Sequence, residues 1–369
     1  MKITDLTVSL FEWKDIPKVQ YGPQNVRISG TVKLGLVTIK TDEGVEGHAF
    51  LGSAMRGADL DAQSLVTMLK PEIVGQDPLA REFLFKRLTK RHRSTTLRAI
   101  GAVDVALWDI GGKVAGLPIH KLMGGFRESV PAYASSPALY KPEVYAEQSL
   151  EVKAAGFHAY KIHPPTRWAE DIKVCAAVRE AVGDDYKLML DSTWSYRYDE
   201  ALRVGRAIED LGYYWYEDPL AEEDIYNYVK LKQQLHIPLM ATEWSPGGFH
   251  AYAPWIMERA TDYLRGDVAV KGGLTGCLKA AHLADGFRMN YEIHHGGNSL
   301  NNVANIHLMC AIPNSEFFEV LLPDAAQKYG LVEDLQLGKD GMVAAPQKPG
   351  LGVEIDMKRI ESTTVAVIA

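Results

Sequence analysis

Cysteine is scarce here: Cys175, Cys277 and Cys310 are far apart, with neither paired nor metal-type spacing. That excludes a disulfide framework and a zinc-ribbon site and suits a reducing compartment. Long apolar runs are missing too, and none approaches the length of a membrane span. The start, MKITDLTVSLFEW, lacks the basic-then-apolar layout of a secretory leader. Positive charge is in deficit, with 40 Lys and Arg against 47 Asp and Glu and a net charge of −7. A nucleic acid or an anionic membrane attracts the opposite sign. The expectation is a cytoplasmic protein with no nucleic-acid and no membrane partner.

What is present is a change of rhythm along 369 residues, long enough for two domains. ITDLTVSLFEW alternates, and GTVKLGLVTIKTDEGVEGHAF holds two β runs joined at Asp42-Glu43-Gly44. A polar stretch, Lys14 to Asn25, lies between them, and residues 58–124 then carry helical spacing. This makes an N-terminal α+β unit over residues 1–125. From there strand and helix alternate: VPAYAS, AYKIH, KLMLD, YYWYE, PLMATE, RGDVAVK, MNYEIH and EFFEV, mostly separated by amphipathic segments. Eight β runs with helical crossovers over residues 126–324 suit a closed α/β barrel, with a doubly wound sheet as the alternative. The Gly/Pro-bearing residues 325–369 are expected to return to the N-terminal unit.

Three of those runs end in a carboxylate at an even interval: Asp191, Glu217 and Glu243. A buried, unpaired charge is costly, so three in equivalent places call for a shared partner. Oxygen donors without imidazole or thiolate point to a hard divalent cation, Mg²⁺ first. Flanking runs add Lys161 and His163, which alternation puts on one face, and then Asp267, His294-His295 and Glu319. Such a cation binds a carboxylate-bearing substrate and stabilises the charge formed when its α-proton leaves. Lys161/His163 and His294 would serve the two faces of the substrate, with Asp267 orienting the His294 ring.

This ordered set resembles the enolase superfamily and, within it, the mandelate racemase subgroup. The likeness also covers GHAFLG (47–52) and AVDVALWDIGGKVAG (102–116). It implies a modified TIM barrel, (β/α)₇β, under an N-terminal α+β capping domain, one Mg²⁺ per subunit on Asp191, Glu217 and Glu243, and a homo-oligomer. It further implies an Asp267–His294 dyad, with His307 thirteen residues on favouring His294 over His295, and an electrophilic Glu319. Two departures stand out. The usual strand-two Lys-x-Lys is Lys161-x-His163, which leaves open which of the two is the base. The Asn often found two residues after the first acid is Thr193.

By this resemblance the expected reaction is dehydration of a sugar acid to a 2-keto-3-deoxy acid. The alternatives are a racemase or epimerase, a cycloisomerase acting on an anhydro-sugar acid or lactone, and a non-catalytic sugar-acid binder. Substrate contacts are expected from the Lys14–Asn25 and His48–Gly57 loops, with Tyr21 and Arg56 as candidates, and from Thr193, Trp244 and His295.

Overall fold

A computed structural model describes residues 1–22, 28–245 and 247–369. The N-terminal sheet is antiparallel, with β1 (Ile3–Val19), β2 (Ile28–Thr41) and β3 (Glu46–Leu51) in sequence order. The polar stretch after Trp13, expected as a loop, instead continues β1: Ile16 pairs with Gly30 and Val19 with Ile28, across two register shifts. Ile16 and Val19 are buried, and these apolar positions hold the strand together through the polar residues between them. The part of the expected loop beyond residue 22 lies outside the described residues.

Helices α1 (Asp59–Met68), α2 (Lys70–Ile73), α3 (Arg81–Thr89), α4 (Leu97–Ala115) and α5 (Ile119–Leu122) complete this domain. The Thr96 hydroxyl caps α4 by accepting from Ala99 N–H, and Gly116, at φ 67°, ends it in the left-handed region. Every residue from Ala99 to Gly112 is buried, because α4 runs between the capping sheet and the barrel.

The second sheet is parallel. Its strands are β4 (Ser129–Ser135), β5 (Ala159–Ile162), β6 (Lys187–Asp191), β7 (Trp215–Glu217), β8 (Leu239–Ala241), β9 (Tyr263–Gly266), β10 (Asn290–Ile293) and β11 (Phe318–Leu321). The crossovers are α6 (Pro142–Ala154), α7 (Trp168–Val182), α8 (Tyr198–Asp210), α9 (Ile225–Lys232), α10 (Tyr252–Met257), α11 (Leu274–Gly286) and α12 (Ser299–Ala311). Strand order runs from β10 back through β4 to β11. The ends of the sheet meet: Tyr291 N–H of β10 donates to the Asn314 carbonyl ahead of β11, at 2.7 Å. This is the (β/α)₇β form of the barrel, an α/β fold beneath a capping domain. After β11, β12 (Met342–Ala344) pairs with barrel strand β4. Past α13 (Met357–Thr363), β13 (Thr364–Ile368) pairs with β1 of the capping sheet.

Candidate active site

The site rests on a plug. Tyr133, Ala159, Met189, Trp215, Met240 and Phe317 fill the barrel interior as one buried cluster, with Tyr263 packed on it. Two residues further along each strand the side chain faces inward again. Those next positions are Ser135, Lys161, Asp191, Glu217, Thr242, Glu319 and Arg265. A hydrophobic layer thus carries a layer of charges at the C-terminal end of the barrel, where such enzymes build their chemistry.

Lys161, 1% exposed, places its ammonium 3.2 Å from Asp191, 2.9 Å from Glu217 and 2.8 Å from Glu319. Burial and the nearby Arg265 favour losing its proton, yet Glu217 and Glu319 outweigh them and hold its pKa well above the usual lysine range. Arg265 spans the other side, with Nε 2.6 Å from Glu217 and 3.4 Å from Glu243, and Nη2 2.5 Å from Glu319. Burial pushes Glu217 up to about 7 against these two cations. Glu319 goes the other way: Lys161 and Arg265 overcome its burial and hold it well below the carboxylate range.

Two imidazoles flank this layer. His163 Nδ1 donates to the Ser136 carbonyl at 2.7 Å, which turns Nε2 toward Asp191 at 3.0 Å. His294 Nδ1 donates to Asp267 at 2.8 Å, and its Nε2 lies 3.3 Å from Glu243. Burial opposes protonating His294, but Glu243 and Asp267 outweigh it and raise its pKa to about 9. Asp267 is itself held by the Ala269 N–H (2.7 Å) and the Asn305 amide (3.3 Å).

Asp191, Glu217 and Asp218 place carboxylate oxygens within 4.8 Å of one another. Glu243 lies outside that group, its Oε1 accepting from Trp244 Nε1 at 2.5 Å. Thr242, at φ 87°, follows the end of β8 and accepts from Arg265 N–H, so Glu243 sits one residue further beyond the strand. Both oxygens of buried Asp218 lack a hydrogen-bond partner among the described residues, and burial pushes its pKa well up. An oxygen-only set with an orphaned buried carboxylate fits a hard divalent cation. Non-glycine residues with positive φ gather beside these acids: Thr193, Trp194, Asp218 and Thr242. Strained backbone of this kind persists where surrounding structure enforces it, often at functional sites.

A cavity of about 360 Å³ opens above this layer, and Lys161, His163, Asp191, Glu243, His294 and Glu319 reach it from the barrel. The capping domain adds Tyr21, which accepts from Gln327 (2.8 Å) and meets the His163 ring edge-on at 5.5 Å, and Arg56, whose guanidinium lies 5.3 Å over the Trp244 ring. Thr193 lines the cavity, and its backbone N–H donates to Asp191 at 2.9 Å. His295, expected at the substrate, is placed elsewhere. Its ring packs 3.9 Å from Phe318, Nδ1 faces the Ile293 carbonyl at 3.1 Å, and burial pushes its pKa down to about 3. Neighbours on a chain leaving a strand face opposite ways, and His294 takes the cavity side. The sequence reading overlooked Arg265, Arg98, Asn305 and the loose end of Asp218. Arg265 was accessible in principle, since it precedes Asp267 by two positions.

Residues 144–359 match the enolase C-terminal domain-like family, and residues 17–124 match the mandelate racemase/muconate lactonizing enzyme N-terminal domain. The chain belongs to the enolase superfamily. Within it, the mandelate racemase subgroup is the match. A D-galactarolactone cycloisomerase of Agrobacterium fabrum is 31% identical, over 96% of this chain and 97% of that protein. An arabinonate dehydratase of Saccharolobus solfataricus is 29% identical, over 86% and 87%. Among solved structures, a D-glucarate dehydratase from Agrobacterium tumefaciens complexed with magnesium aligns at a TM-score of 0.88 and 33% identity, over 99% of this chain and 100% of that one.

Proposed function

We propose that this superfamily member removes the proton α to the carboxylate of a sugar acid and then expels the β-hydroxyl, giving a 2-keto-3-deoxy acid. One observation carries the reading: two imidazoles, each fixed through Nδ1, face one cavity from opposite sides of a carboxylate layer. His163 is the base. Its Nδ1–H bond to Ser136 leaves Nε2 as the proton acceptor, which favours His163 within Lys161-x-His163. Lys161, held as an ammonium by three carboxylates, supplies fixed positive charge where the enediolate develops. His294, protonated beside Asp267, delivers a proton to the departing hydroxyl. Glu319, between Lys161 and Arg265, keeps both cations aimed at the cavity floor.

Asp191, Glu217 and Glu243, with Asp218 adjoining, would hold one Mg²⁺ per subunit, which when bound neutralises charge on the substrate carboxylate. The cycloisomerase among the relatives supports a second reading, ring opening or isomerisation with the same two imidazoles. The first test is incubation with Mg²⁺ and a panel of sugar acids, trapping 2-keto products with semicarbazide. Keto acid from at least one supports dehydration. Exchange of the α-proton without keto acid favours isomerisation, and neither signal from any acid refutes both.

A further inference from the structure

At the capping end of the cavity two arginines face one carboxylate. Arg98 takes all of Asp61: Nε donates to Oδ2 at 2.7 Å, Nη2 to Oδ1 at 3.2 Å, and the Thr96 hydroxyl shares Oδ1 at 2.9 Å. Asp61 is buried, and both of its oxygens are engaged by Arg98 and Thr96. Arg56 makes no ion pair among the described residues: burial and the charge of Arg98 weigh against its own charge, and Asp61, already paired with Arg98, offsets them only in part. Two guanidiniums against one carboxylate leave one positive charge at the cavity wall, suited to meet an anion.

Arg56 is not a loosely tethered surface residue. Its loop folds back on itself, Ser53 N–H donating to the Arg56 carbonyl at 2.8 Å and Arg56 N–H to the Ser53 carbonyl at 3.1 Å. The same loop is fastened to the barrel: Ala54 N–H donates to the Gly297 carbonyl (3.2 Å), and the Asn298 amide to the Gly52 carbonyl (2.8 Å). Gly297, at φ 91°, permits this approach, since a Cβ there would lie 3.0 Å from Ser53 Cβ. Trp244 sets the distance to the chemistry. Its indole donates to Glu243 at one edge and carries the Arg56 guanidinium on its face. The spare cation is therefore one indole away from the carboxylate layer, across a small cavity.

We propose that Arg56 binds the second carboxylate of a sugar diacid whose first carboxylate is held at the barrel end of the same cavity. This assigns a substrate class, the aldaric acids over the aldonic acids, and it rests on the enolisation reading above. An aldonate would present a neutral hydroxyl to the unpaired guanidinium, and a diacid presents a charge with matching fork geometry.

The test uses pairs matched in hydroxyl configuration, galactarate against galactonate and glucarate against gluconate, on the full-length Mg²⁺-loaded protein. The expected result is a kcat/KM preference for a diacid, located mainly in KM. Arg56→Gln lowers that preference about tenfold, and Arg56→Lys, which keeps a charge, restores most of it. A monoacid preference in the wild type overturns the assignment and leaves enolisation standing. Equal behaviour of the Gln and Lys variants does the same, because it reduces Arg56 to packing on Trp244. If no acid is turned over, the enolisation reading fails separately. Calorimetric affinity for galactarate then decides the subsite: an approximately tenfold loss in Arg56→Gln supports it, and equal affinity overturns it.

Discussion

Replacing Arg265 by Met tests whether the carboxylate layer is held by charge. The substitution keeps an apolar stem of similar length but removes the fork that meets Glu217, Glu243 and Glu319. Glu217 and Glu319 are fully buried, and Lys161 would remain as the cation within 4 Å of both. Removing one partner of a buried ion pair costs about 3–5 kcal/mol, because the other charge stays behind in low dielectric. At about 2 °C per kcal/mol for a chain of this size, the melting temperature should drop by roughly 6–10 °C. The loss should grow with pH. Glu217 already has a folded-state pKa raised to about 7, above its unfolded value, so its contribution falls as pH rises through that window. Removing Arg265 lifts that pKa further and extends the window upward, with a limiting slope of about 1.4 kcal/mol per pH unit. Thermal melts in EDTA at pH 6 and pH 8.5 measure both effects. Arg265→Lys should recover part of the loss. A Met variant within about 1 kcal/mol of wild type at both pH values would refute the reasoning, because the carboxylates would then be neutral without Arg265.

Asp267→Asn should leave the fold intact and lower kcat roughly a hundredfold, since the Asp267 carboxylate orients the His294 ring; steady-state kinetics check this, and unchanged kcat would remove the dyad. His307 donates Nε2–H to the Leu351 carbonyl at 3.0 Å, and burial depresses its pKa to about 4. Stability from this group is complete above the unfolded value of ~6.5 and is lost as pH falls toward 4, by up to about 1.4 kcal/mol per unit. Denaturant titrations between pH 7.5 and 5 should therefore show a shallower slope in His307→Gln than in wild type. Chelation by EDTA should abolish turnover, and restoring Mg²⁺ at a hundred times its Kd should raise stability by about 2.7 kcal/mol, read as a calorimetric shift.

Much of the barrel was legible because buried parallel strands read as short apolar runs, and KLMLD became β6 with its limits unchanged. RGDVAVK shows where the pattern misleads. Its strand is Tyr263–Gly266, and Val268 to Lys271 turn instead, with Val270 and Lys271 N–H both donating to the Asp267 carbonyl. The Val268 carbonyl there packs against Gly101 of α4, where a Cβ would lie only 2.4 Å from it, a tertiary contact that local propensity does not carry. The carboxylates and imidazoles announced themselves by residue type at strand ends. Arg265 did not, because an arginine is ordinarily a surface residue and only the inward count from Tyr263 places it beneath the acids. Asp218 was passed over for a similar reason: its missing partners are visible only once the chain is folded.

The central claim is proton abstraction next to a carboxylate, and the most direct measurement is proton NMR of sugar acids incubated in D₂O with Mg²⁺ and the protein. The account predicts loss of the α-proton signal from at least one acid, with deuterium in the recovered acid or in the keto product, and suppression of both in His163→Asn. An α-proton signal undiminished in every acid, with Mg²⁺ bound, would contradict it.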